Sequence, residues 1–263
     1  EFGLNGPSVA NANSCASGAI AIGEAARLIR DGRVDAMLAG GVEAPLAPLT
    51  FGAFVLIRVL STRNDDPATA SRPFDRDRDG FVMAEGGTML VLEEEEHARS
   101  RGATIYARLH GYATTNDAHH MTAPRPDGVQ AARAITEALC DAQLPAEAIS
   151  YVSAHASSTV LNDSIECKAI RLALGDHAEK VAISGTKGLH GHALGATGAM
   201  ETAIAAMAMR EGHLPGTANL DQIDPACDLD IIPPVGRDGA PRYILKNSFG
   251  FGGINACLVL GAA

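Results

Sequence analysis

The 263-residue chain contains no tryptophan, and phenylalanine and tyrosine bring its aromatic content to only 4%. Single-stranded nucleic acids are bound on aromatic stacking platforms, so that function class is disfavoured from the start. Positive charge is scarce as well. Lys and Arg number 21 against 31 Asp and Glu, a net charge of −10, whereas binding a phosphate backbone requires a basic footprint that displaces counterions. No nucleic-acid partner is expected. No run approaches the ~18 consecutive apolar residues of a membrane span, and the first residues lack the charged-then-apolar pattern of a secretory leader; no membrane partner is expected, and the cytoplasm is the expected location. Cysteine is sparse, odd in number and scattered (Cys15, Cys140, Cys167, Cys227, Cys257), which fits reduced thiols better than a disulfide framework. Residue 1 is Glu rather than Met, the mark of a chain that is processed, cloned from an interior point or incomplete.

Apolar residues make up 46% of the chain, enough for the core of one large domain or two small ones. Glycine-rich turns separate alternating helical and extended patterns, which is α/β organisation. A strand at Pro7 to Ser14 is expected to feed a helix from Cys15 to Arg30, and Ala36 to Ala39 reads as the next buried strand. Ser61 to Gly80, dense in charge, proline and turn formers, reads as a long surface excursion. "FVMAEGGTMLVLEE" has the pattern of a buried strand broken by glycine, and "EEEEHARSRG" opens a helix with acid at its head and base at its tail. Further along, Val129 to Ala142 and Asp163 to Leu174 read as helices, with strands at Ile149 to Ala154 and Val181 to Ser184. A Gly/His loop then leads into a helix from Ala193 to Arg210, and strands near Tyr243 to Asn247 and Ile254 to Leu260 flank "SFGFGG".

Two segments echo each other, "CASGAIAIGEAARLIRDG" and "HALGATGAMETAIAAMAMREG". Aligned from their first residues they set Cys15 on His192 and Glu24 on Glu201. Both helices are apolar nearly all round, which places them between layers rather than on the surface. Two related βαβ halves with packed central helices are expected.

Four groups offer chemistry. Cys15 stands at a helix N-terminus among small neighbours, where unsatisfied N–H groups and the helix dipole favour thiolate; the plain alternative is a buried free cysteine. His155 closes the strand "ISYVSAH", the edge where α/β proteins place ligands and catalysis, and Asn162 or Asp163 reads as the N-cap of the helix that follows. In "SGTKGLHGHALGATGAMETA", Lys187, His190 and His192 sit among glycines, and Lys187 and Glu201 are positioned to form a charge pair. His190 and His192 lack a third ligand at suitable spacing, so no metal is expected. "NSFGFGGIN" matches neither phosphate-loop fingerprint. Its glycines suit backbone N–H groups standing open beside a reacting carbonyl, as in an oxyanion hole.

Taken together, "NANSCASGA", "SAHASST", "GTKGLHGHALGATGAMET" and "KNSFGFGGIN" resemble the β-ketoacyl-acyl carrier protein synthases, specifically the stand-alone elongating type II condensing enzymes. The likeness covers nearly the whole chain. It implies a thiolase-like layered αβαβα architecture with two related halves, the N-terminal half incomplete, divided at residues 1–103 and 104–263. It implies that Cys15 is the acyl-accepting nucleophile and that His155 and His192 are the two active-site histidines, with Lys187 supporting the site and Glu201 and Asp163 as structural support. Phe249 would be the gating phenylalanine whose backbone N–H joins that of Cys15 in the oxyanion hole. Ser157, Thr159, Thr122 and Gly250 would line the substrate arm, and Arg58 would meet the carrier. The resemblance further implies acyl carrier protein as partner, a homodimer, and no cofactor beyond the carrier's phosphopantetheine arm.

The sequence departs from the family in places. Ala156 and Ser157 follow His155 where the family commonly has Gly-Thr, and Ser153 stands where Asn is common. The chain also begins almost at the strand before Cys15, so a sheet edge and an apolar face are expected to be uncovered. Arg63, Arg72, Arg76 and Arg78 join Arg58 as candidates for a basic docking patch, against the plainer reading of a solvated charged loop. A non-decarboxylating thiolase relative, a Cys-His acyl hydrolase, an inert partner subunit and a polyketide ketosynthase are the competing readings. Cys257, past the last glycines in an apolar strand, reads as core and not as a second catalytic thiol.

Overall fold

A computed structural model describes residues 3–263 of the chain. After a 3-10 turn at Ser14–Ala16 come α1 (Ser17–Arg30), β1 (Ala36–Glu43), α2 (Pro48–Leu56), β2 (Gly86–Glu93), α3 (Glu95–Ser100) and β3 (Arg108–Asn116). The remainder comprises α4 (Val129–Asp141), β4 (Tyr151–Ser153), α5 (Val160–Leu174), β5 (Ala182–Ser184), α6 (Lys187–His190), α7 (Thr197–Glu211), the short pair β6 (His213–Leu214) and β7 (Arg237–Asp238), then β8 (Tyr243–Gly250) and β9 (Ile254–Gly261).

Five strands form one mixed sheet in the order β3-β9-β8-β4-β5. β3, β9 and β8 are antiparallel neighbours, while β4 runs parallel to both β8 and β5. β4 and β5 are only three residues long and buried throughout, as strands covered on both faces must be. Because β8, β4 and β5 share one direction, their C-terminal ends meet at one edge of the sheet. α4 and α5 cover one face, and α1 and α7 lie between this sheet and the antiparallel pair β1–β2. The layers therefore run β1–β2, α1 with α7, five-stranded sheet, α4 with α5.

α1 and α7 are the expected pair of inner helices, but the register of their echo differs from the alignment begun at Cys15. Each follows a 3-10 turn, Ser14–Ala16 and Leu194–Ala196, that opens on a residue in the left-handed region, Ser14 (φ +51°) and Leu194 (φ +42°). Gly18 and Gly198 then occupy matching positions. A Cβ on Gly18 would lie 2.7 Å from the Ala199 nitrogen, and a Cβ on Gly198 would lie 2.7 Å from the Ala19 nitrogen. The two backbones cross in contact, and the relation is reciprocal. Cys15 thus corresponds to Gly195, not His192; the shared Ser/Thr-Gly-Ala step sets the register, and the three-residue offset had no signal in the chosen starting point.

Other expectations need correction. Pro7 to Ser14 is not a strand: among the described residues no strand pairs with it, and it lies mostly exposed. β1 is twice as long as expected and only Ala39 in it is buried. Along β1 and β2, Leu38, Val42, Met89 and Val91 all point outward and stand 43 to 72% exposed, so the expected uncovered apolar face is present. β3, an edge strand with no clear alternation, was not foreseen. Ser61 to Gly80 is not wholly a surface excursion, for Ser71 to Asp75 and Arg78 are buried. There Arg72 binds Asp75 (2.9 Å) and Asp221 (2.7 Å), and Arg78 binds Asp224 (2.6 Å). Two of the five arginines considered for docking are therefore internal cross-links.

The α1–α7 crossing gives a direct test. Gly18→Ala or Gly198→Ala places a methyl group against backbone that cannot rotate away, and overpacking of this kind costs about 1–3 kcal/mol. Thermal unfolding should show either variant melting several degrees below the parent, and an unchanged melting temperature would contradict the crossing.

Candidate active site

Cys15 sits on the 3-10 turn that leads into α1. The Ser17 hydroxyl accepts the Asn13 N–H (2.8 Å) and donates to the Ser14 carbonyl (2.7 Å), which fixes the turn and holds Ser14 in its left-handed conformation. Gly250 at the end of β8 passes close behind: a Cβ there would lie 3.1 Å from the Cys15 nitrogen. The thiol is buried, and burial drives its pKa up to about 11, against the opposing pull of Lys187 and of the Phe251 and Cys15 N–H groups. The expected helix-terminus thiolate is therefore not the resting state. Desolvation of the anion outweighs the dipole at this site.

His155 follows β4 after a single residue, Ala154. Its backbone is gripped from both sides: the N–H donates to Glu166 Oε1 (2.8 Å), and the carbonyl accepts from the Lys187 ammonium. Glu166 Oε2 takes the next N–H, that of Ala156 (2.8 Å), and Asn247 Nδ2 donates to Oε1 (3.1 Å). His192 is pinned to the segment after the loop, with its N–H on the Val82 carbonyl (2.7 Å) and its carbonyl accepting from Ala84 (3.0 Å). Its Nδ1 meets the Thr197 hydroxyl at 3.1 Å, which leaves Nε2 for the cavity. The two imidazoles lie edge to face with centroids 5.4 Å apart. Burial first, then the charge of Lys187, pushes both well below the ordinary histidine range. Both are neutral near pH 7, each with one N–H to donate.

Behind them, Lys187 and Glu201 form the expected pair, Nζ to Oε1 2.6 Å, both fully buried. Burial favours the neutral acid, but Lys187 and Lys246 outweigh it and hold Glu201 ionised. Asp163 accepts the Phe74 N–H (2.9 Å) and the Ser158 N–H (3.2 Å), tying two loops to α5. It is not the helix cap, and neither is Asn162. Thr159 caps α5 by accepting the Asn162 N–H, because the helix begins three residues before the position read from the sequence.

Cys15, His155 and His192 line one cavity of about 210 Å³ together with Phe249, Gly250, Phe251, Ser157, Thr159, Thr122 and Arg58. Lys187, Glu201 and Asp163 stand behind its wall. Phe249 leans on His155 with centroids 5.9 Å apart. The backbone N–H that faces the Cys15 sulfur, however, is that of Phe251, not Phe249 as expected. Phe249 lies within β8, registered with Asn255, whereas Phe251 opens the turn beyond the strand and stacks on Phe54. His190 bonds Thr186 (3.0 Å) instead of facing the cavity. Cys257 is buried in β9 beside Asn247.

Comparison with known proteins decides the family. Residues 1–98 match the beta-ketoacyl synthase N-terminal domain and residues 106–221 its C-terminal domain. The chain belongs to the β-ketoacyl synthase family. It is 50% identical over 258 residues to the 3-oxoacyl-[acyl-carrier-protein] synthase 2 of Synechocystis sp., covering 98% of this chain and 62% of that protein. It is 45% identical to the tetracenomycin polyketide synthase ketoacyl synthase alpha subunit of Streptomyces glaucescens, over 99% of this chain and 61% of that one. Among solved structures, a type II polyketide ketosynthase in complex with its acyl-carrier protein superimposes with a TM-score of 0.95 at 44% identity, over 97% of this chain and 63% of that chain. A beta-ketoacyl synthase from Burkholderia phymatum gives 0.91 at 43%, over 96% of this chain and 60% of that chain. The chain thus spans a little over three fifths of the length of these relatives.

Within this β-ketoacyl synthase site, sequence reasoning missed Glu166, Lys246, Asn247 and Phe251. The signal for Glu166 was its place three residues after Asp163 on one helix face, and for Lys246 a lone cation inside the apolar run "YILKN". Among the described residues no three groups form a metal-binding cluster. Because the thiol pKa is raised, alkylation of Cys15 by iodoacetamide, followed peptide by peptide, should still be accelerating between pH 8 and pH 10, by about tenfold per unit. A rate that levels off below pH 8 would contradict the protonated resting state.

Proposed function

We propose that the chain is the larger part of a β-ketoacyl-acyl carrier protein synthase that carries out decarboxylative Claisen condensation in fatty-acid elongation. The observation behind this reading is the meeting of one thiol and two neutral imidazoles on a single cavity. Cys15 attacks an acyl thioester, the carrier thiol leaves with the proton, and the acyl group stays on sulfur. The N–H groups of Cys15 and Phe251 are placed to stabilise the tetrahedral oxyanion.

A malonyl thioester then enters. Loss of carbon dioxide passes its electron pair to the thioester oxygen as an enolate, and the N–H groups of His155 and His192 donate to that oxygen. The carbanion attacks the acyl carbonyl on Cys15; the thiolate leaves and is reprotonated, and the chain is two carbons longer. Imidazoles that are already neutral suit this role, because an imidazolium would give its proton to the enolate and quench the carbanion before it could attack. No redox or nucleotide cofactor enters these steps.

Acyl groups would arrive on an acyl carrier protein, with exposed Arg58 at the cavity as its contact, in keeping with the carrier complex of the similar ketosynthase. We place the enzyme in the cytoplasm as a homodimer. No helix among the described residues is long and apolar enough to cross a membrane. A polyketide ketosynthase is the second reading, favoured by the 45% identity to the tetracenomycin subunit.

Carbon dioxide release from a malonyl thioester tests the proposal. His155→Ala or His192→Ala should lower it by about 10²- to 10³-fold, the usual effect of losing one oxyanion donor. Cys15→Ala should retain release yet hold no acyl group, by intact mass. Release that survives both histidine substitutions would refute the assignment.

A further inference from the structure

The wall behind the histidines holds a second buried cation. Lys246 lies on β8 in the run Tyr243–Asn247 and, like Lys187, is 0% exposed. Its ammonium stands 2.8 Å from Glu201 Oε2, with the Ser248 hydroxyl at 3.1 Å and the Asn247 carbonyl as further partner. Glu201 is thereby clasped between two lysines, Oε1 by Lys187 and Oε2 by Lys246. Oε2 has no hydrogen-bond donor among the described residues, so the charge of Lys246 is what compensates it.

The connections from this clasp run to His155 from two sides. Lys187 reaches from Glu201 to the His155 carbonyl, and Asn247, next to Lys246 on β8, holds the carboxylate of Glu166 that grips the His155 N–H. Lysine at this place also leaves the wall with more positive than negative charge around Glu201. We propose that Lys246 is a positioning residue: its buried ammonium fixes the carboxylate of Glu201, and through it Lys187 and the backbone of His155, and keeps the environment of both imidazoles cationic so that they remain neutral donors. The proposal rests on the donor role assigned to His155 and His192.

The groups around the two rings are few. The charges that act on the His155 ring are Lys187, His192 and Lys246, with Glu166 on its backbone N–H; those that act on His192 are Lys187, His190 and Lys246. The remaining charges nearby are Glu201, clasped by the lysines, Asp163, which is compensated by Arg78, and Glu43, which acts on Cys15. Removing one of two cations while Glu201 stays ionised tips this balance, and protonation of an imidazole becomes easier. The sign follows. Histidine pKa values rise, and the acid limb of any reaction that needs neutral imidazoles moves to higher pH.

The test is histidine NMR on the whole chain, comparing the parent with Lys246→Met. In the parent two imidazoles should titrate well below the ordinary histidine range; in the variant at least one should titrate at higher pH than in the parent, and kcat for carbon dioxide release should fall at pH 6 more than at pH 8 with KM little changed. Lys246→Ala should be rescued by ammonium chloride, which fits the vacated space, and not by tetramethylammonium chloride, in both melting temperature and histidine titration. Identical titration in parent and Lys246→Met, or no response of Lys246→Ala to ammonium, would overturn the proposal. If Lys246→Met does not fold, Lys246→Met/Glu201→Gln removes the orphaned carboxylate. Recovery of folding supports the clasp, because the cation and the carboxylate it compensates are removed together and the local net charge is that of the parent; no recovery refutes it. The NMR arm reads the rings directly, so it stands even if the parent releases no carbon dioxide.

Discussion

A carboxylate and an ammonium shut away from water, Glu201 and Lys187, impose the arrangement of everything near them. Stripping two ions of solvent is costly, and the attraction between them offsets that cost only when geometry and further hydrogen bonds are good. Here the remaining valences are used on purpose-placed partners: the Lys187 ammonium takes the His155 carbonyl, and the second Glu201 oxygen takes Lys246. The pair therefore links α7, α6, β8 and the loop after β4. A change in any one of these elements leaves a buried charge uncompensated, which is why the site behaves as one unit and not as separate residues.

The same dryness explains the protonation states. All three groups that would touch substrate are stored uncharged, the thiol because burial raises its pKa and the imidazoles because burial and two neighbouring cations lower theirs. A charged nucleophile waiting in this cavity would be strongly disfavoured. Charge is better tolerated when it appears on the substrate, opposite donors whose positions are already fixed, since no solvent then has to reorganise. The helix terminus at Cys15 contributes through directed N–H groups rather than by ionising the sulfur at rest.

Much of this was legible in sequence because it is written in local pattern. A cysteine opening an apolar helix, a histidine closing a strand and a lysine among glycines each carry their own signal, and the Lys187–Glu201 pair follows from placing loop before helix. What was not legible depends on distant partners. Arg72 and Arg78 look like surface charge in a stretch rich in Asp and Pro, and only the return of residues 221–224 to Asp75 and Arg78 makes them internal. Phe249 and Phe251 differ by two positions in one glycine-rich run, so choosing between their N–H groups required knowing where the β8–β9 ladder ends. β1 and β2 are apolar on both faces, a pattern that needs two covering layers, and among the described residues only one is supplied.

The loop after His155 shows how a local departure is absorbed. Ala156 occupies the left-handed region at φ +40°, where a non-glycine residue costs on the order of 1 kcal/mol, and Ser158 follows it there at +67°. The strain is held by Glu166, whose two oxygens take consecutive N–H groups and allow that peptide no other orientation. The extra methyl group must also be housed. Gly185 faces it, and a Cβ at 185 would fall 2.5 Å from that of Ala156 and 2.9 Å from Pro73. Alanine at 156 therefore requires glycine at 185, one residue past β5 and two before Lys187, so the shape of the histidine loop and the placement of the lysine are coupled by a single steric contact.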